Sequence, residues 1–251
     1  MRAASLLFAL AVVSGCTVTV KTQTKYVGDQ PVTKTASRSL AAGDAIEIEN
    51  GNGDVVVQGV AGLDKITLST KVFSFADVKG DADAAIADVV NGIALDESTG
   101  KFYIHCNTAS TSHGSAGNGT TGCDNFTVQV PSGTTTAPIT LKATAHNGQI
   151  NATGLVGSAE IDSDNGDATA SISTAPAAVI KVYTKNGDAS LAVNGDFSAD
   201  TISLVSAGAA PGKITGDFPD LDTPTSPHKA SGGAKSITVQ ADNGTVTLKK
   251  Q

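Results

Sequence analysis

The chain has 251 residues and a formal net charge of −7, with 24 acidic and 17 basic side chains. This acidity, with Lys and Arg scattered along the chain, argues against nucleic-acid binding. No Trp is present and aromatic residues make up only 4% of the chain, so a core built around large side chains is excluded. The composition predicts a thin core of small and β-branched residues.

Residues 1–15 have the features of an export signal. Arg2 gives a positive start, and the apolar run at residues 6–13 is too short to span a membrane as a stable helix. Ser14 and Gly15 then precede Cys16. A plain signal peptide ends in small residues and needs no cysteine at this point.

The segment Val13-Ser14-Gly15-Cys16 resembles the lipobox of bacterial lipoproteins. That resemblance implies cleavage before Cys16, acylation of its sulfur, and several acyl chains, which anchor a protein stably. An ordinary signal with a chance cysteine is the alternative. Residues 16–43 are predicted to be the lipidated N-terminus and a tether, with a strand near its end. Thr17, where an Asp would favour the inner membrane, predicts an outer-membrane location in the bacterial cell envelope.

The folded domain is predicted to span residues 44–251, because alternating apolar and polar residues recur there around Asn-Gly pairs. The alternation fits a β-hairpin with a type I′ turn, in which Lys185 pairs with Asp188. It also fits a β-solenoid, in which Asn-Gly forms stacked corners. The steady phase and small inward residues favour the solenoid. The copies lie at residues 46–57, 141–150, 159–168, 180–189 and 237–246.

The last part of the domain holds a weaker copy of the pattern. Residues 202–204 and 213–215 form a degraded repeat within the long gap between Asn186 and Asn243. Lys249 and Lys250 close the final strand with charges, which discourage pairing at a sheet edge. We therefore expect the C-terminus to form the last repeat.

Residues 76–125 interrupt the repeats. They predict a helix over residues 81–92, capped by Asp81, that covers an open end of the stack. Strands flank Gly100. Cys106 and Cys123 predict a disulfide in an oxidising compartment, which stabilises the intervening loop by about 3 kcal/mol. A zinc site using these cysteines with His105 and His113 is the alternative.

The order of these motifs resembles the putative-adhesin (DUF4097-like) family of bacterial envelope proteins. The motifs are Ile-x-Ile-x-Asn-Gly-x-Gly-Asp-Val from Ile46, the acidic Ala-rich helix, Phe-Thr-Val-Gln-Val-Pro-Ser-Gly from Phe126, and the Asn-Gly-Asp repeats. The resemblance covers about residues 44–250 and implies an all-β, single-domain β-solenoid with one inserted helix. An antiparallel hairpin sandwich is the alternative. The family brings no established catalytic residues, and this chain departs from it at the disulfide loop and at residues 218–227.

Asp54, Asp167 and Asp188 follow Asn-Gly pairs and are the weak candidates for a metal site. A column of carboxylates suits calcium, or acid–base work in a polysaccharide-cleaving β-helix. Gln149 and Thr245 at the matching positions favour plain turn residues. The only tyrosines for stacking on sugars are Tyr26, Tyr103 and Tyr183.

The sequence therefore predicts a noncatalytic envelope lipoprotein that presents a repetitive β surface for adhesion or scaffolding. A carbohydrate-binding or carbohydrate-active β-helix and a calcium-binding module are the alternatives. The predicted partners are the membrane, through the lipid on Cys16, and envelope or surface proteins or polysaccharide. No other cofactor is predicted.

Overall fold

The computed structural model describes residues 26–106, 121–194, 201–207, 214–216, 225–228 and 236–251. Within them the chain is all-β with a single helix, as the sequence predicts. The elements are β1 (Tyr26–Thr35), β2 (Ala45–Asn52), β3 (Val55–Val60), β4 (Thr67–Ala76), α1 (Lys79–Gly92), β5 (Ile93–Ser98), β6 (Lys101–Cys106), β7 (Thr121–Cys123), β8 (Phe126–Pro131), β9 (Ile139–Asn147), β10 (Ile150–Asn165), β11 (Ala168–Ser173), β12 (Val179–Asn186), β13 (Ala189–Asn194), β14 (Thr201–Ser206), β15 (Ile214–Gly216), β16 (Thr225–His228), β17 (Ser236–Asn243) and β18 (Val246–Lys250).

All of these strands belong to one hydrogen-bonded network that is bent into two faces. The long strand β10 runs through both, and changes face around Gly154 and Gly157, which have positive φ. In the first face, parallel strands lie in the order β8, β3, β10, β11, β13, β18, β15. In the second, the order is β6, β2, β9, β10, β12, β17, β14.

The alternating pattern of the repeats decides which side chains enter the core between the faces. Ile46, Leu141, Ala159, Ile180 and Ile237 stand side by side in the second face, and each is at most 2% exposed. Full burial of an Ile or Leu side chain stabilises the fold by about 1.5–3 kcal/mol. The intervening residues point outward, so each repeat supplies both core and surface.

The Asn-Gly pair at the end of each repeat strand of the second face connects that strand to a strand of the first. At Asn186, β12 pairs with β10 and β17, whereas β13 pairs with β11 and β18. Within the described residues, the pairing of Lys185 with Asp188 that a hairpin requires is not formed. The turn therefore joins two faces.

The asparagines of these turns form a ladder of hydrogen bonds. Each side-chain amide donates to the carbonyl oxygen of the preceding asparagine side chain, over 2.9–3.1 Å. The glycine that follows is required by close stacking, because a Cβ on Gly166 would lie 2.4 Å from the backbone oxygen of Gly148. We call this set the asparagine ladder; its members are Asn52, Asn147, Asn165, Asn186 and Asn243.

β1 lies within residues 16–43, where the sequence predicts a tether with a strand near its end, and this strand is part of the fold. β1 pairs antiparallel with β4 along its whole length, and Ala36 just after it is 2% exposed. Arg38 stacks 4.0 Å from the centre of the Phe102 ring and donates a hydrogen bond to Asp44. An edge strand keeps most of its side chains in water, so it carries little apolar alternation. Cys16 lies outside the described residues.

Helix α1 starts two residues before the predicted cap Asp81 and ends at the predicted Gly92. Asp81 lies in the first turn, where a carboxylate favours the positive end of the helix dipole. The helix packs against β1, β4 and β7 and buries Ile86 and Val89 in the main core. The part of the chain that the structure describes contains no helix long and apolar enough to cross a membrane.

The order of repeats at the other end corrects a second expectation. The C-terminal strands β17 and β18 lie between β12–β13 and β14–β15, so the C-terminus does not form the last repeat. Asn243 extends the asparagine ladder through a 3.0 Å bond to Asn186. The degraded repeat, in β14 and β15, lacks an Asn-Gly pair and cannot extend the asparagine ladder, so it stacks outside β17 and β18.

Candidate functional site

The outward side of the second face carries a column of alternating charges. Each member stands five residues before an asparagine of the ladder, so the strand register places the members side by side. We call this set the charge column; its members, in spatial order, are Glu47, Lys142, Glu160 and Lys181. Thr238 continues it on β17.

The charges of the column are only partly neutralised within the chain. Glu47 contacts the ammonium of Lys101, and its carboxylate lies 3.9 Å from the Lys142 nitrogen. Among the described residues, Glu160 and Lys181 form no ion pair, and both are exposed. Exposed ion pairs contribute about 0–1 kcal/mol each. The column therefore adds little to stability and is open to a partner.

A shallow groove of about 320 Å³ runs beside the charge column. Its outward-facing floor is made of short side chains, which are Ala45, Thr140, Ser158 and Val179. Val179 is 43% exposed, which is unusual for a large apolar side chain in this chain. The groove thus combines an uncharged floor of short side chains with charged walls.

His146 forms a bridge between carboxylates of neighbouring strands. Its Nδ1 lies 2.7 Å from an oxygen of Asp164, and its Nε2 lies 3.7 Å from an oxygen of Glu49. The hydrogen bond with Asp164, aided by the charge of Glu49, raises the pKa of His146 above its ordinary value. Tyr103 donates a 2.6 Å hydrogen bond to Glu49, which raises the pKa of Tyr103 to about 12.

The other end of this surface is acidic. Tyr183 donates a 2.7 Å hydrogen bond to Asp242, which raises the pKa of Tyr183 to about 12 and lowers that of Asp242. Asp162 is half-buried, and burial together with the charges of Asp164 and Glu160 raises its pKa. Because both tyrosine hydroxyls are bound to carboxylates, this is a network of fixed polar groups.

Asp54, Asp167 and Asp188 lie on another edge, and each holds the backbone of the next repeat. Asp54 accepts the N–H of Gln149 at 2.9 Å, and Asp188 accepts the N–H of Thr245 at 2.7 Å. Asp167 accepts the N–H of Asp188 at 2.8 Å. In the described ranges, no three His, Cys, Asp or Glu side chains are grouped so that they could hold a metal ion.

Cys106 and Cys123 are joined by a disulfide, as the sequence predicts, with their Cα atoms 6.1 Å apart. Their sulfurs are therefore bonded to each other and do not serve the alternative zinc site. His105 stacks on Tyr103 at 4.3 Å and lies 3.5 Å from the carboxylate of Asp96. His113 lies outside the described residues.

Sequence reasoning missed the charge column and a second feature, an exposed pair of aromatic rings. The column was detectable, because its members share one offset from the ladder asparagines and alternate in sign. Phe73 and Phe75 lie on the outward side of β4 with ring centroids 5.6 Å apart, and Phe75 is 39% exposed. They stand outside the repeats, so no periodic signal marks them.

No protein-family model matches the sequence, and no curated protein matches it significantly. Among solved structures, the chain is similar to the crystal structure of a putative cell adhesion protein from Clostridium sporogenes. The TM-score is 0.53 at 10% identity, over 88% of this chain and 100% of that chain. A putative adhesin from Bacteroides fragilis aligns over 88% of this chain and 97% of that chain at 9% identity, with a TM-score of 0.29. The first of these likenesses shows that this chain shares its fold with a solved protein.

Proposed function

We propose that this chain is a noncatalytic lipoprotein of the bacterial cell envelope, held by lipid on Cys16, whose β-solenoid presents a repetitive surface for adhesion or scaffolding. The observation that carries the proposal is the charge column, a row of outward-facing alternating charges set in register by the asparagine ladder. Rigid parallel strands at a spacing of about 4.8 Å give such a surface a fixed pattern.

The surroundings of the acidic side chains support a noncatalytic role. Asp54, Asp167 and Asp188 are each engaged by a backbone N–H, and Gln149 separates the first from the second. A glycosidase places two carboxylates across one bond, one of them free to exchange a proton. The solved protein of similar fold is described as a putative cell adhesion protein, which agrees with a binding role.

Cells that express the full-length chain test the proposal directly. We expect wild-type cells to attach to surfaces or to one another more than cells carrying Cys16→Ser, in which the lipid acceptor is removed. Mass spectrometry of the mature N-terminus should find acyl chains on Cys16. Wild-type attachment equal to that of cells lacking the chain would refute the adhesive role, and an unmodified cysteine would refute the anchor.

Carbohydrate binding is a second candidate function, favoured by Phe73 and Phe75. Exposed aromatic rings in a pair offer apolar faces on which sugar rings stack. We expect Phe75→Ala to weaken retention on polysaccharide affinity gels, whereas Val78→Ala, which removes a 53% exposed apolar side chain nearby, should not. Equal retention of both variants and the wild type would contradict this candidate.

A further inference from the structure

We propose that the charged surface of the second face binds a second copy of this chain, face to face, with the two stacks of repeats running in opposite directions. The inference deepens the proposed function and rests on it for its biological role, because it names the partner of that surface. The pattern of charges, the uncharged floor of the groove and the position of His146 carry it independently.

The signs along the charge column alternate as negative, positive, negative, positive. When a second copy of the column runs in the opposite direction, each charge therefore faces one of opposite sign. A two-fold axis that runs along the strands between β9 and β10 places Lys142 opposite Glu160 of the second copy. The same axis places Glu47 opposite Lys181. By symmetry each contact occurs twice, so four Lys–Glu pairs form and no like charges of the column meet.

The neighbouring columns match under the same axis. Val179, which is 43% exposed, falls opposite Ala45 of the second copy, so the uncharged floor of one groove covers that of the other. His146 falls opposite the carboxylate of Asp164, its own strand neighbour within one chain. Three kinds of contact therefore agree on one position of the axis.

Other arrangements are less favourable. An axis along the stacking direction and through the charge column would place each repeat opposite itself, so that Glu47 faces Glu47 and Lys142 faces Lys142, and such like-charge contacts are repulsive. Shifting the axis by one strand, to lie between β10 and β12, keeps only the contact of Glu160 with Lys181, because Thr238 then faces Lys142. The charges thus select the antiparallel dimer.

The surface is large enough for a specific dimer. Six strands at about 4.8 Å spacing and four outward positions per strand at about 6.7 Å cover about 770 Å² on each copy. The total of about 1,500 Å² lies within the usual range for specific interfaces. An antiparallel dimer also places the N-terminal ends of its copies at opposite ends, which suits two chains anchored on facing membranes.

Sedimentation velocity of the full-length chain in detergent, from about 1 to 100 μM, tests the dimer. We expect the wild type to dimerise and its dimer to weaken in high salt. Lys142→Glu and Glu160→Lys should each weaken the dimer about tenfold or more, because each creates two like-charge contacts. The double variant Lys142→Glu/Glu160→Lys should restore it, because the swapped charges again face opposite signs.

Lys249→Glu is the matched control, since it makes the same change on an exposed residue of the first face and should leave the dimer intact. A wild type that stays monomeric at all concentrations would overturn the inference, and so would a double variant as weak as the single ones. Cells that attach although the protein is monomeric would retain the proposed function and remove only this partner. A protein that dimerises without promoting attachment would retain this partner and refute the proposed adhesive function.

Discussion

The repeated part of the molecule (β2, β3, β9–β13, β17 and β18) and its N-terminal end (β1, β4–β8 and α1) close the same core by different means. In the repeated part every strand has parallel neighbours in register, and the turns are locked by the asparagine ladder. The N-terminal end adds antiparallel strands, a helix and a disulfide. Its Phe102 and Phe126 are the largest fully buried side chains.

The difference follows from what each region has beside it. The core side of each repeat is covered by the next repeat, so one arrangement of small side chains can recur along the stack. The close stacking of the turns requires asparagine and glycine at each turn. The end of the stack has no further repeat to cover it. Larger side chains, antiparallel strands and a covalent link therefore complete the core there.

The largest effect is expected for Gly187→Ala in the repeated part. The new Cβ would lie 2.4 Å from the backbone oxygen of Gly166, at a φ of 154°, so the turn has to move. We expect a loss of about 3 kcal/mol or more in the free energy of unfolding by urea. Gly80→Ala in α1 meets no atom within 4 Å and should instead stabilise the protein by about 0.5–1 kcal/mol. Similar values for the two variants would contradict this account.

Removing the disulfide tests the N-terminal end. The variant Cys106→Ser/Cys123→Ser should lose about 3 kcal/mol, because a loop of 17 residues is no longer closed in the unfolded chain. Hydrogen exchange should accelerate in β6–β8 more than in β11–β13. Reductant should destabilise the wild type to the same extent and leave the variant unchanged. If hydrogen exchange accelerated equally in β6–β8 and β11–β13, the N-terminal end and the repeated part would not be stabilised separately.

A smaller effect is expected for a break in the asparagine ladder. Asn165 makes three hydrogen bonds, to Asn147 and the backbone of His146 and from Asn186, so Asn165→Ala should cost about 2 kcal/mol. Asn243→Ala at the end of the ladder breaks two hydrogen bonds, to Asn186 and to the backbone of Lys185, and should cost less. Thermal melts compare them, with Asn151→Ala, on β10 outside the ladder, as control. Equal losses at Asn165 and Asn151 would argue against a role for the ladder.

The smallest effect is the pH dependence that arises from His146. Its pKa is raised in the folded protein, so its contribution to stability is full below the ordinary value of about 6.5 and is lost as pH rises through the raised value. The side chain is about half exposed, and solvent screening limits the contribution to less than about 1 kcal/mol. NMR titration should show a higher pKa for His146 than in the variant Asp164→Asn. Identical titration curves would contradict the proposed bridge.

Much of the fold was readable from the chain because short-range patterns carry it. Alternation around Asn-Gly located β2, β9, β10, β12 and β17, and a Gly-terminated apolar pattern located α1. A strand was expected in the tether, but its pairing with β4 as β1 was not, because β1 has one paired neighbour and little apolar patterning. The spatial order of the last repeats also escaped, because alternation does not specify which strand lies beside which.

The candidate site divides in the same way. The sequence by itself determined which residues stand at each offset from the ladder asparagines, and hence that Glu47, Lys142, Glu160 and Lys181 alternate in sign. Only the tertiary structure decided that these offsets form one column, because parallel register between distant strands is set by the stacking of Asn-Gly turns. It also decided that Asp54, Asp167 and Asp188 hold backbone N–H groups of the next repeat, since those partners come from other turns of the chain.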